Sequence, residues 1–180
     1  NLRQKVGNYP GVTVEKRVGR IERNGNKFEI TDLPGTYTIY PSSLDEEVVF
    51  KILGDPKNVN YPDLAVVVGE PLNLKRSILL YEQVRDLGVP AIFVINMMDE
   101  IDSKGLNIDI KKLQDFLQTK IYLTNARTSE GLDNLIDALT QPAQPYQPML
   151  DIPTEFSNAI QQVKEKFNVE NDYLAWQYLS

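Results

Sequence analysis

Two short runs of consecutive apolar residues, 64–68 and 91–95, constrain the fold more than any other feature of this sequence. Strands without polar alternation are typical of a parallel sheet, because helices cover both faces of such a sheet. Between the two runs, Leu80, Val84 and Leu87 recur at helical spacing. The order strand, helix, strand predicts an α/β fold with a mostly parallel sheet flanked by helices.

The remaining apolar patterns fit the same fold class. Residues 17–31 predict a β-hairpin, since Asn24 and Gly25 both tolerate the positive φ angles of a type I′ turn. Residues 121–123 are a weaker candidate for a third parallel strand. Apolar residues at helical spacing predict further helices within 44–53, 110–117 and 132–139.

The composition changes near residue 141, because three prolines and three glutamines lie within residues 141–148. Such a segment favours a stiff, extended connector. Beyond it, Phe156, Ile160, Val163 and Phe167 predict an amphipathic helix. We therefore expect an α/β domain at residues 1–141, a linker at 142–151 and the start of a small helical domain at 152–180.

Charge and composition exclude several classes of function. The chain has 25 acidic and 19 basic side chains, a net charge of −6, whereas nucleic-acid binding requires a basic surface. It has no Cys and no His, which excludes disulfides, thiolate or imidazole metal sites and Ser-His-Asp catalysis. No apolar run approaches the ~20 residues that span a bilayer. Any chemistry must use carboxylates, hydroxyls, Lys or Arg, backbone amides or a hard cation.

Polar turns follow three of the predicted strands. They are Asp32-Leu-Pro-Gly35 after the hairpin, Asn96-Met-Met-Asp99 after residues 91–95 and Thr124-Asn125-Ala126 after residues 121–123. Ligands of open α/β sheets bind at the carboxyl ends of the strands, so we expect the three turns to lie at one edge of the sheet. Each turn alone is a weak signal, since Asp32 could be a turn former and Asn96 a helix cap. Together and in this order, they resemble the motif series of the P-loop GTPases.

Further motifs make the resemblance more specific. They include Asn-Tyr-Pro-Gly-Val-Thr at 8–13, Asp-Leu-Pro-Gly-Thr-Tyr at 32–37, Asp-Glu-Glu at 45–47 and Asn-Leu-Lys-Arg at 73–76. With the two later turns, they resemble the cytoplasmic GTPase domain of ferrous-iron transport protein B, the FeoB family. The resemblance covers about residues 1–140, and the tail from Ile152 resembles the start of that family's helical, GDI-like domain. It implies two nucleotide-dependent switch loops, residues 7–15 and 32–43.

The resemblance assigns a guanine-binding role to the last two turns. Asp99 would accept hydrogen bonds from the guanine N1–H and N2–H₂ groups, with Asn96 and Met97 in the same turn. The backbone N–H of Ala126 would donate to the guanine O6, and Thr124 and Asn125 belong to the same motif. An adenine carries an amino group at that position and would leave buried groups unpaired, so the site would select guanine.

The resemblance also assigns the phosphate and metal contacts. Thr13 and Asp32 would hold Mg²⁺, Asp32 through a water molecule, and the N–H of Gly35 would meet the γ-phosphate. Thr13 and Gly35 are thus the candidate catalytic residues. Thr36 follows where many small GTPases have a water-orienting Gln, so hydrolysis would rest on backbone amides and cations, with K⁺ as an accessory cation.

Two departures from the family pattern accompany this assignment. No Gly-x-x-x-x-Gly-Lys-Ser/Thr phosphate loop occurs in the 180 residues. We therefore expect a preceding segment, containing this loop and the first strand of the sheet, to complete the natural unit. Residues 69–71, Gly-Glu-Pro, stand where the family has Asp-Ala and a small residue.

At the level of the parent protein, the resemblance implies a GTPase that regulates ferrous-iron uptake at the cytoplasmic face of the bacterial inner membrane. Its expected partners are a guanine nucleotide (GTP or GDP), the membrane permease domain of the same polypeptide and a second copy of itself, but no nucleic acid. Two alternatives stay open. One is a degenerate or truncated GTPase-like module that binds without turnover, and the other is a housekeeping GTPase of the translation-factor-related class.

Two side-chain roles also stay open. The pair Glu46 and Glu47 fits a metal site, but carboxylates also stabilise the first turn of a helix. Tyr9 could stack on the nucleotide or anchor its loop in the core.

Overall fold

The first part of the chain forms an antiparallel sheet. The computed structural model describes residues 5–9, 13–141 and 151–179, without the side chain of residue 102. The sheet consists of β1 (Lys5–Asn8), β2 (Glu15–Arg23) and β3 (Asn26–Asp32), in that order. Asn24 and Gly25 have φ angles of 52° and 78°, as a type I′ turn requires, and Arg23 pairs with Asn26. The predicted hairpin is therefore confirmed.

The second sheet is parallel, as the apolar runs predict. It consists of β4 (Ala65–Gly69), β5 (Ala91–Ile95) and β6 (Ile121–Leu123), in chain order. The helix α2 (Leu74–Asp86) connects β4 to β5. Between β5 and β6 lie α3 (Asp99–Lys104) and α4 (Ile110–Leu117). The three strands therefore end at the same edge of this sheet.

Four more α-helices and two short 3₁₀ helices, Pro71–Asn73 and Thr154–Phe156, complete the described structure. The α-helices are α1 (Leu44–Leu53), α5 (Leu132–Ala138), α6 (Ser157–Phe167) and α7 (Asp172–Gln177). Most of the expected linker, residues 142–150, lies outside the described residues. None of the described helices has both the length and the hydrophobicity of a membrane span.

The hairpin and the parallel strands do not form one sheet, which corrects our expectation. Within the described residues, β3 pairs only with β2, and β4 pairs only with β5. No described strand lies between β3 and β4, so each has one edge without a partner strand. The sequence pattern reports the burial of a strand but not its neighbours, and it therefore could not exclude this arrangement.

One face of β4 is also less covered than its apolar sequence predicts. Val67 is buried, whereas Val66 and Val68 are 39% and 60% exposed. The buried face of the strand lies close to α2, because a Cβ atom on Gly69 would meet the Ser77 Cβ at 2.6 Å. Gly69 is thus required by the close approach of the helix to the strand.

The core joins the sheets to the C-terminal helix. Its largest fully buried side chains include Tyr81, Phe93 and Ile95, and the same cluster contains Tyr173 and Leu174 of α7. A second, smaller cluster consists of Ile160, Val163 and Ala175, with Ile152 and Trp176 packed against it. The helical tail therefore has its own contacts but also packs directly on the α/β part.

Candidate functional site

The turn after β5 is held between the ends of its two neighbouring strands. The backbone N–H of Asn96 donates to the carbonyl of Gly69 at 2.8 Å, and that of Met98 donates to the carbonyl of Thr124 at 3.4 Å. Met97 has a φ of +59°, in the left-handed region that few residues other than Gly adopt. This strained turn brings Asn96, Met97 and Asp99 to the carboxyl edge of the parallel sheet.

The side chain of Asn96 joins this turn to the one after β6. Its Oδ1 atom accepts hydrogen bonds from the Thr124 hydroxyl at 3.1 Å and from the backbone N–H of Ala126 at 2.9 Å. The second turn is further fixed because the Asn125 N–H donates to the carbonyl of Glu130 at 3.0 Å. The structure thus brings Asn96, Thr124, Asn125 and Ala126 together. The Ala126 N–H, which the family resemblance assigns to guanine O6, is paired with Asn96 Oδ1 in this structure.

Asp99 stands at the open side of the two turns. Its carboxylate is 47% exposed, and its nearest cationic partner is the Arg127 guanidinium at 3.9 Å. An exposed pair at this distance contributes little free energy, because water competes for both charges. The Asp99 carboxylate can therefore exchange Arg127 for other hydrogen-bond donors. Together, the two turns carry an exposed carboxylate acceptor and the Ala126 N–H donor, which is paired with Asn96 Oδ1 in this structure.

Tyr9 links the two predicted switch loops. Its hydroxyl donates to the carbonyl of Asp32 at 3.0 Å, and its backbone N–H donates to the carbonyl of Val14 at 2.9 Å. The ring is 3% exposed, and burial raises the pKa of its hydroxyl. Tyr9 is therefore an anchor in the core, and the stacking alternative is wrong for this structure. Thr13 and the Asp32 side chain are exposed, whereas residues 10–12 lie outside the described part.

Glu46 has a structural role at the start of α1. Its Oε2 atom accepts hydrogen bonds from the N–H and hydroxyl of Ser42 at 2.9 and 2.7 Å, while its own N–H donates to Ser43 Oγ. These contacts with Ser42 hold the pKa of the Glu46 carboxyl below its usual value. Glu47 pairs with Lys51 at 2.6 Å. Both carboxylates are thus engaged by neighbouring groups of the chain, which favours the structural alternative.

A cavity of about 310 Å³ separates the loop after β3 from the ends of β4 and β5. Its lining includes Thr36 and Tyr37 from the loop, Glu70 and Asn96 from the strand ends and Arg76 from α2. The two candidate regions, one on each sheet, therefore face each other although they do not share a sheet.

The departure at residues 69–71 now has a structural account. Gly69 accommodates α2, the Glu70 carboxylate accepts a hydrogen bond from the Asn73 side chain, and Pro71 opens a short helical turn before α2. Pro is well suited to a first helical position, because it has no N–H to leave unpaired. This segment stabilises the entry into α2.

Sequence reasoning included Arg76 in the motif at 73–76 without giving it a role, and it missed Gln83. Both residues contact the loop after β3 from α2. The guanidinium of Arg76 lies 5.6 Å from the centre of the Tyr37 ring, and Gln83 Oε1 accepts from the backbone N–H of Ile39 at 3.2 Å. Besides the motif, the available signal was their spacing of seven residues, which places both on one side of a helix.

Comparisons with known proteins agree on one family. The family model described as Ferrous iron transport protein B, FeoB_N, matches residues 1–139. The Fe(2+) transporter FeoB of Leptospira biflexa is 36% identical over 140 residues, which are 78% of this chain and 20% of that protein. This chain thus spans about a fifth of the length of that curated relative.

Solved structures give the same result over nearly the whole chain. The cytosolic domain of the T. maritima FeoB iron transporter in a GDP form superposes with a TM-score of 0.82 at 28% identity, covering 98% of this chain and 71% of that one. A GMPPNP form of the same domain superposes with a TM-score of 0.82 at 29% identity and equal coverage. The fold is therefore that of a P-loop GTPase domain.

Proposed function

Since this chain belongs to the FeoB family of ferrous iron transport proteins, we propose that it binds and hydrolyses GTP as the regulatory domain of a ferrous-iron transporter. The observation that carries this proposal is the Asn96 side chain, whose Oδ1 joins both guanine-assigned turns beside the open carboxylate of Asp99. The solved relatives in GDP and GMPPNP forms support the choice of nucleotide.

In this proposal, guanine binds by replacing two hydrogen-bond or ion-pair partners that the turns have in this structure. Guanine N1–H and N2–H₂ replace Arg127 as partners of Asp99, and guanine O6 competes with Asn96 Oδ1 for the N–H of Ala126. Met97 contributes apolar contact from the strained turn. Adenine would leave the Asp99 carboxylate without a donor from N1, so the site discriminates against it.

The phosphate end of the nucleotide would face the two switch loops. Hard cations prefer oxygen ligands, and Thr13 and Asp32 offer a hydroxyl and a carboxylate that are both exposed. These two residues would hold Mg²⁺, which neutralises phosphate charge when bound. The backbone N–H of Gly35 donates to the γ-phosphate. An accessory K⁺ stays a prediction of the family resemblance.

The nucleotide state reaches the helical tail through the loop at 32–43. The Tyr40 hydroxyl lies 3.4 Å from the Tyr173 hydroxyl of α7, and burial raises the pKa of Tyr173 strongly. We take residues 1–141 as the nucleotide-binding domain, 142–151 as the linker and 152–180 as the start of the helical domain. That helical domain would transmit the change to a permease domain in the membrane, with this chain at its cytoplasmic face. Self-association remains a prediction.

The test is a change of nucleotide specificity in the native polypeptide that contains this chain. Asp99→Asn should weaken GDP binding about 10²- to 10⁴-fold, since each of two hydrogen bonds to the charged group contributes about 1.5–3 kcal/mol. The same variant should gain affinity for xanthosine diphosphate, whose base offers the complementary pattern. Asp109→Asn is the matched control, because Asn replaces Asp well as the cap of α4. An unchanged preference for guanine in Asp99→Asn contradicts the proposal.

The second candidate is a module that binds nucleotide without turnover. Thr36, which stands where many small GTPases have a water-orienting Gln, favours it. Guanine binding without GTP hydrolysis, measured as phosphate release by the same polypeptide, would support this alternative. Membership of the FeoB family argues against a housekeeping GTPase.

A further inference from the structure

The helix α2 holds the loop at 32–43 at two points on one side. Arg76 lies over the Tyr37 ring at 5.6 Å, within the range of a cation–π contact. Two helical turns further on, Gln83 Oε1 accepts a hydrogen bond from the N–H of Ile39 at 3.2 Å. The loop therefore runs alongside α2. A cation–π contact holds it at Tyr37, and a hydrogen bond holds it at Ile39.

The two contacts differ greatly in burial. Gln83 and Ile39 are buried, and a buried N–H that loses its acceptor pays the full cost of desolvation. In contrast, Tyr37 is 57% exposed and Arg76 is also exposed, so their contact is weak and can break and form again. The loop is thus fixed at Ile39, while the part from Gly35 to Tyr37 is held reversibly.

A third contact restrains the same part from the other side. The Thr36 hydroxyl lies 3.4 Å from Glu46 Oε1, a distance at the limit of a hydrogen bond. Thr36 Oγ1 also donates to the carbonyl of Thr38 and accepts from the Thr38 N–H at 3.2 Å, but these contacts lie within the loop. Among the described contacts, the exposed Arg76–Tyr37 pair is therefore the one that ties residues 35–37 to α2.

We propose that Arg76 is a positioning residue of the second switch loop: it holds the Tyr37 ring and thereby sets where the N–H of Gly35 stands. In this proposal Arg76 acts through Tyr37, its contact within the loop. Its consequence for hydrolysis rests on the proposed function, whereas its effect on the loop does not.

Hydrogen exchange of backbone amides tests the effect on the loop. In Arg76→Gln, the signal within residues 35–38 should come from the Thr38 amide, which donates to Thr36 Oγ1 at 3.2 Å. It should exchange about two- to fivefold faster, the factor expected for one exposed cation–π contact. Arg76→Lys keeps the cation and should lie between Arg76→Gln and the wild type. Lys75→Gln is the control, because it removes the same charge from an exposed neighbouring position on α2. The Ile39 amide should stay protected in every variant.

Turnover in the native polypeptide gives the second readout. Arg76→Gln should lower kcat for GTP about two- to fivefold, with KM and GDP affinity unchanged, because the guanine contacts lie elsewhere. Equal exchange at residues 35–38 in Arg76→Gln and Lys75→Gln overturns the proposal, even where GTP is bound and hydrolysed. Faster exchange in Arg76→Gln than in Lys75→Gln supports the positioning role of Arg76. If the wild-type polypeptide then binds no guanine nucleotide, the proposed function is overturned and the positioning role is not.

Discussion

Replacement of Gly131 by Ala tests whether the turn after β6 is as tightly built as its geometry indicates. Gly131 has a φ of +76°, and a Cβ atom there would lie 2.0 Å from the carbonyl oxygen of Leu123. Since Cβ atoms essentially never approach closer than 3.0 Å, the backbone must move by 3.0 − 2.0 = 1.0 Å. Leu123 directly precedes Thr124, so this movement disturbs the turn that contacts Asn96.

The expected loss of stability combines two costs. An L-residue in the left-handed region costs about 1–2 kcal/mol, and overpacking against backbone adds about 1–3 kcal/mol. Gly131→Ala should therefore lower the free energy of unfolding by about 2–5 kcal/mol, measured by urea denaturation followed by circular dichroism. Gly25→Ala is the matched control, because Gly25 has a φ of +78° but nothing within 4 Å of its added Cβ, so only the first cost applies. Losses that agree within about 0.5 kcal/mol would refute the argument, since such a difference is within ordinary mutational scatter.

Two further predictions concern α2 and α7. Burial raises the pKa of Glu82 despite the adjacent Arg85, so the ionised carboxylate is disfavoured in the folded state. The stability that the protonated carboxyl contributes is present below the ordinary Glu pKa of 4.5 and is lost as the pH rises through the raised value. Glu82→Gln cannot ionise, so it should gain stability relative to the wild type as the pH rises above the ordinary Glu pKa. A relative loss over that rise in urea titrations would contradict this sign. Leu174 is buried in the main core and lies 3.8 Å from a Cβ built on Gly54, so Leu174→Ala should cost about 2–5 kcal/mol, whereas Leu179→Ala at an exposed position should cost little. Equal unfolding midpoints for these two variants would show that α7 does not pack on the α/β part.

The sequence predicted those parts of the fold that depend on local patterns. Residues 64–68 and 91–95 predict parallel strands because their neighbours bury them, and Asn24 with Gly25 predicts the hairpin because few other pairs tolerate its φ angles. Apolar runs do not identify the partner strand on each edge, so they left the pairing of β3 and β4 undetermined. They also overstate burial at Val66 and Val68, which are 39% and 60% exposed.

The candidate site was predictable only where its residues are consecutive. The turns at 96–99 and 124–126 carry their polar groups in sequence, and the structure brings them together through Asn96. The burial of Tyr9 depends on its long-range contact with Asp32, and the contacts of Arg76 and Gln83 depend on packing of the loop at 32–43 against α2. No local pattern distinguishes Tyr9 or Gln83 from ordinary exposed or core positions.

The central claim is that these turns recognise guanine, and a competition experiment tests it most directly. A fluorescent GDP analogue bound to the native polypeptide would be displaced by unlabelled GDP and by ADP in parallel titrations. We expect GDP to displace it at concentrations at least about 10²-fold lower than ADP, as hydrogen-bond readout of a base requires. Equal displacement by the two nucleotides, or no binding of the analogue, would contradict the assignment of Asp99 and Ala126 to guanine.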